Sequence, residues 1–142
     1  MKAKTLCICA VLLFSVALAS GQQPNPDPVG ESFFAPELVL QHQEAIGLNA
    51  EQKESLKSEI RQAQLKFTEL QWKLQDQMEK LLALITPPHV EEQQVIAQLE
   101  KVLAAERDIK REQITLLVRI KNKLRPDQQA KLSDLRNKSA NR

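Results

Sequence analysis

Glycine is almost missing from this chain: three in 142 residues, at Gly21, Gly30 and Gly47. A phosphate-cradling loop needs several glycines close together, so no nucleotide-binding loop can form and any activity must be independent of ATP. Cysteine is equally scarce, with only Cys7 and Cys9, both near the start. Tyrosine is absent, tryptophan occurs once as Trp72, and the imidazoles are His42 and His89 alone. No nucleophile, base and orienting group come together in such a composition, so the chain reads as a non-enzyme without a cofactor. Nowhere do apolar and polar residues alternate as a half-buried strand requires.

What is present first is an export signal. Lys2 and Lys4 precede an apolar stretch from Thr5 to Ala19, and Ala17-Leu18-Ala19 offers small residues at the −3 and −1 positions of a cleavage site. This pattern predicts a signal peptide over 1–19. An uncleaved anchor is the alternative, although about 15 apolar residues fall short of the ~20 that span hydrocarbon. Cleavage would remove both cysteines, leaving no thiol, disulfide or thiolate metal ligand. It would also balance the charge, since 20 Lys+Arg less Lys2 and Lys4 leaves 18 against 18 Asp+Glu. Neutrality together with export argues against a nucleic-acid partner. The balance hides an asymmetry: residues 20–99 hold 6 basic and 12 acidic groups, residues 100–142 hold 12 and 6. Those halves would attract each other if the chain folds back, though exposed pairs contribute little.

Residues 20–35 form a leader in which Pro24, Pro26 and Pro28 predict extended backbone. From Pro36 on, Gln, Glu, Lys, Leu and Ala predominate, all good helix formers. A short helix is expected over Glu37–Ile46, with Pro36 opening it and Gly47 ending it. A long helix over Ala50–Ile85 follows, carrying Leu56, Ile60, Ala63, Phe67, Leu70, Leu74, Met78, Leu81 and Ile85 on one stripe. Thr86-Pro87-Pro88 breaks it. A third helix places Val95, Leu99, Val102, Ile109, Leu116 and Ile120 on a stripe interrupted by Glu106 and Gln113. Pro126 opens a fourth, running to about Lys138, with residues 139–142 as a tail. The tight turn forces the two long helices into an antiparallel hairpin, all-α in class. Ala50 to Ile85 amounts to roughly 54 Å of helix, too long for so small a chain to wrap, so a second copy is expected to supply further apolar contact. Leu65 and Trp72 fall nearly opposite the main stripe, where a flanking helix, a dimer partner or a bound protein would cover them.

The helix junctions repeat one pattern. Leu48-Asn49-Ala50-Glu51-Gln52 precedes the second helix and Leu124-Arg125-Pro126-Asp127-Gln128 the fourth. Asn49 is a good N-cap, and Gln52 stands where it can reach back to the cap. Arg125 cannot accept as threonine would, so the second copy keeps Leu124 and Gln128 but lacks the acceptor. The pair, on either side of a long hairpin, resembles the L-T-x-x-Q motifs of the Spy/CpxP family, which includes zinc-resistance-associated proteins and periplasmic heavy-metal sensors. The likeness covers about residues 33–138. It implies a cradle-like antiparallel homodimer in the periplasm that holds unfolded or partly folded proteins. Under that reading the contact candidates are Phe33, Phe34, Leu65 and Trp72 with Arg61, Arg107 and Arg111. Phe33 and Phe34 serve equally as a staple for the leader, and the arginines equally as a solvated face.

The same resemblance admits a periplasmic sensor of heavy metals or stress, or a resistance protein, that restrains a membrane kinase or an anti-sigma system. Relatives of that kind carry clustered His, Met or Cys, which this chain lacks. His42, with Glu44 or a glutamate of the second helix, is the sole weak metal candidate, and transition metals usually want more imidazole or thiolate than that. Met78 lies on the apolar stripe and is expected in the core. No tight metal site is expected.

Overall fold

The computed structural model describes residues 28–140, so the signal-peptide and cysteine expectations lie outside the described residues. Within them every regular element is a helix: α1 (Pro28–Glu31), α2 (Pro36–Gln41), α3 (Ala50–Ile85), α4 (Glu92–Lys123) and α5 (Pro126–Ala140). α1 is a single turn, and the other four follow the expected order.

The long helices stand where caps and breakers put them. Asn49 Oδ1 accepts from the Gln52 N–H at 2.7 Å, and Gln52 Oε1 accepts from the Asn49 N–H at 3.2 Å. That reciprocal box satisfies two donors which the first turn of α3 would otherwise leave open. At the far end the Thr86 hydroxyl and N–H both donate to the Leu82 carbonyl, and Pro87-Pro88 stops the helix. α4 ends at Leu124 in extended backbone, and Gln129 Nε2 donates to the Lys121 and Leu124 carbonyls.

Two local expectations are corrected. The helix expected over Glu37–Ile46 stops at Gln41, and residues 42–47 continue as turns. Gly47 sits at φ 67, and the Gly47 and Leu48 N–H groups donate to the Glu44 and Gln43 carbonyls. These bonds satisfy the backbone without further helix, while Ile46 is carried into the core. The leader is not extended throughout, because Pro28 opens the turn of α1, where its missing N–H costs nothing. α5 also runs two residues past Lys138.

α3 and α4 pack as the antiparallel hairpin. The core lies at its base, where Leu56, Ala63, Leu116 and Ile120 meet Phe34, Val39, Ile46, Leu48, Leu124 and Leu132. Segments 34–48 and α5 therefore close the base, while the arm beyond Leu70 is two helices deep. The arm's seam differs from the expected stripe: Gln98 and Ala105 are buried beside Val102, whereas Val95 and Leu99 are only half-buried. Gln98 is admitted because its Nε2 donates to the Gln77 carbonyl at 2.9 Å and Gln77 Oε1 at 3.0 Å. A buried amide with both protons placed fixes the register of the two helices. Met78, expected in the core, is exposed together with Leu82 and Ile85, since among the described residues no third layer covers the arm. The charge asymmetry joins the helices only in part. Glu59 on α3 meets Arg119 and Lys123 on α4, but Lys73 and Asp108 form the reverse pair.

Candidate functional site

The two motif copies meet at the base of the hairpin. Gln52 Nε2 donates to Gln128 Oε1 at 2.9 Å, and Gln128 Nε2 donates to Gln52 Oε1 at 3.1 Å. The second proton of each amide reaches across to the residue before the other motif. Gln52 donates to the Lys123 carbonyl at 2.8 Å and Gln128 to the Gly47 carbonyl at 3.1 Å. Each amide oxygen also accepts from its own N-cap residue, Gln52 from Asn49 and Gln128 from Arg125 at 2.9 Å. The clasp is thus symmetric, with both donors used and two bonds accepted on each side. Leu48 and Leu124 are buried beneath it. Arg125 does not cap with its side chain; its guanidinium turns outward to Asp127 in two 3.1 Å bonds.

A second cluster anchors the leader. Lys121 Nζ donates to the Ser32 carbonyl at 2.8 Å and lies 5.6 Å from the centre of the Phe33 ring. Arg136 on α5 donates to the Phe33 and Glu31 carbonyls at 3.1 and 2.8 Å, with its guanidinium 5.7 Å from the Phe34 ring centre. Phe34 is 4% exposed and belongs to the core, while Phe33 is half-buried. The Phe34 ring thus packs the end of the leader onto the base of the hairpin.

Beside this anchor a groove of about 670 Å³ runs between α3 and α4. Its apolar lining includes Ile60, Phe67, Ile109, Ile114 and Leu117, interspersed with the amides of Gln64, Gln71 and Gln113. Gly30, Pro36 and Glu37 form its near rim. At 100° per residue, Ile60, Phe67, Gln71, Met78, Leu82 and Ile85 fall within about 60° of one another on α3. The same side of α3 therefore carries a second, separate hollow near the tip, lined by Gln75, Met78, Glu79, Leu81, Leu82 and Ile85. The other side of the hairpin is charged, with Lys66, Glu69, Lys73, Asp108, Arg111 and Glu112 around a shallow depression.

Leu65 and Trp72 lie on a separate edge, 70% and 74% exposed, and none of the described helices covers them. Arg61 shares that edge of α3 and is exposed. Arg107 and Arg111 are exposed on α4, each 3.7 Å from Asp108. The fold does not gather the seven contact candidates into one place.

Among the described residues, three carboxyls are held below their ordinary range. Hydrogen bonding from Lys57 lowers Glu54, from Lys73 lowers Asp108, and from Arg125 lowers Asp127. Groups lowered in the fold stabilise it above their unfolded values and lose that contribution as pH falls through their folded ones. The clasp is made of amides and does not titrate. Thermal melts followed by circular dichroism should therefore be flat from pH 8 to about 5 and decline only near and below pH 4.

These features define an all-helical hairpin protein with a motif clasp at its base and an open apolar face. A family model described as heavy-metal resistance matches residues 4–131, and the chain belongs to that family, one of the Spy/CpxP-like helical proteins. No curated protein and no solved structure matches it.

A family of that description raises the question of a metal ion. Among the described residues no three His, Cys, Asp or Glu side chains cluster to hold one. His42 is half-buried in the turns after α2, and the Glu44 carboxylate beside it in sequence is paired with Lys53. His89 is exposed in the loop at the opposite end of the hairpin. Two imidazoles so placed, with one exposed thioether at Met78, do not fit a tight transition-metal site.

Proposed function

We propose that the chain is an ATP-independent chaperone of the periplasm, exported by its first 19 residues, which holds unfolded or partly folded proteins as a homodimer and limits their aggregation. The observation that carries this reading is apolar surface open at two places along the hairpin, the groove at Ile60 and Phe67 and the exposed Met78, Leu82 and Ile85 near the tip. Glutamine amides between the apolar residues offer donors and acceptors that suit exposed peptide backbone of any sequence. A second copy packed on the thin arm would add the third layer that it lacks.

The family match fits a second reading about as well, a heavy-metal or stress sensor or resistance protein that regulates a membrane signalling partner. Light scattering separates the two. Metal-free protein beginning at residue 20 is mixed, without ATP, with a chemically denatured client on dilution. Suppression of aggregation near one dimer per client is expected. No suppression, combined with micromolar or tighter binding of zinc, copper, nickel or cobalt in calorimetry, would favour the sensor.

A further inference from the structure

Met78 carries the one sulfur among the described residues, because Met1, Cys7 and Cys9 lie outside them. It is 46% exposed and lines the hollow near the tip, about 230 Å³ in volume, together with Leu81, Leu82 and Ile85. Gln75 and Glu79 complete the lining, and Gln75 Nε2 donates to Glu79 Oε1 at 3.0 Å. The second amide proton of Gln75 has no partner among the described residues.

A thioether packs as a soft apolar group, so it adds to the apolar lining that the leucines and Ile85 provide. The sulfoxide of the same side chain is polar and a far stronger acceptor. Gln75 stands three residues back on the same helix face, where its free proton can be donated to the new oxygen. Nor does the fold depend on the thioether. Met78 is outside the core at the base, and the register of the long helices is held by Gln77, which accepts from Gln98 Nε2 at 2.9 and 3.0 Å.

We infer that Met78 is an oxidation site, at which a two-electron oxidant such as hydrogen peroxide turns the tip hollow from apolar to polar while the fold stays intact. The sulfur attacks one peroxide oxygen, the O–O bond breaks and an S–O bond forms. The proton on the transferred oxygen passes to the departing hydroxide, which leaves as water, so the sulfur loses two electrons and the peroxide gains them. Residues 20–142 hold no cysteine, so no thiol competes for the oxidant. The loss of apolar surface bears on clients only through the chaperone reading, whereas the oxidation stands apart from it.

The protein from residue 20, isotopically labelled on methionine methyl groups and freed of any initiator residue, gives a single methyl signal, from Met78. Hydrogen peroxide at neutral pH should move that signal to the sulfoxide position at a rate within about threefold of free methionine. Nile red, an uncharged apolar dye, should perturb the signal before oxidation and severalfold less after it. A rate about 100-fold slower than free methionine would overturn the proposal, since a second copy or another cover would then shield the sulfur. Equal perturbation by the dye in both states would overturn it too. The melting temperature of the oxidised protein should stay within about 2 °C of the parent, and a large fall would make Met78 a support of the fold instead. Met78→Gln should match the oxidised protein in dye binding, while Met78→Leu should bind dye as the parent does and keep that binding through peroxide treatment. Loss of binding by Met78→Leu on that treatment would place the oxidation elsewhere. Should the methyl signal respond as expected while neither form protects a client from aggregation, the chaperone reading fails and the oxidation site survives.

Discussion

Replacing Gln128 with leucine should lower stability by about 3–4 kcal/mol and the melting temperature by roughly 10 °C or more. Leucine is close in size, so the loss would come from hydrogen bonds rather than from a cavity. Gln128 is 0% exposed, and water has no access to replace it. Its removal strands the Gly47 carbonyl, the Arg125 N–H and half of the Gln52 amide together. Each buried polar group left without a partner costs about 1–3 kcal/mol. Gln52→Leu should cost less, about 1–2 kcal/mol, because Gln52 is only half-buried and water can reach its partners. Chemical denaturation of both single variants and the double variant completes the test. A coupling of about 1–2 kcal/mol is expected from two amides bonded in both directions. Additive losses would mean that each glutamine serves only its own helix cap.

That cycle also marks what the sequence made legible. Local signals place the long helices well. Asn49 and Gln52 fix where α3 starts, Thr86-Pro87-Pro88 where it ends, and Pro126 where α5 begins. Each is decided within four residues, by caps and breakers that act on their own neighbours. The paired motif is equally visible, but as two separate caps. That Gln52 and Gln128 bond each other depends on the hairpin register, over a separation of 76 residues, which no local pattern encodes.

The misplaced core follows from the same limit. A periodic stripe names the face of a helix and is silent on how far along the helix a covering layer extends. Met78 therefore reads as core, yet it lies on the arm where no third helix arrives. Gln98 and Ala105 run the other way. Glutamine is discounted in a hydrophobic pattern, and alanine carries too little apolar surface to register, yet a close helix–helix seam wants a small residue and tolerates an amide whose protons are placed. A stop at Gln41 could have been suspected from Gly47 only by asking whether the turn before it was α-helical, because the Gly47 signal marks an end without fixing its geometry. The anchoring of the leader was not legible at all. Lys121 and Arg136 lie some 90 and 100 residues from the carbonyls they hold, and nothing near either residue announces it.

Changing both Leu65 and Trp72 to glutamine should leave stability within about 0.5 kcal/mol of the parent, since neither side chain touches the core. Protection of a denatured client should nevertheless weaken severalfold to about 30-fold, the range for loss of an aromatic anchor worth up to 2 kcal/mol. The two outcomes together separate a binding role from a structural one. Trp72 is the chain's only tryptophan, so the unmutated protein reports on the same edge. Its fluorescence should be that of a solvated indole when free and should shift to the blue with client bound. The edge lies more than 90° around α3 from the groove face, so one chain would offer a client two apolar contacts on different sides. Contacts that far apart suit a flexible unfolded segment, which can wrap around a helix, better than a folded surface of fixed shape. A groove variant such as Phe67→Ser should then add to the effect of the edge pair. If the edge variant protects clients as well as the parent does, the groove face alone carries binding and Trp72 belongs to the contact between copies, which sedimentation of the same variant as a monomer would reveal.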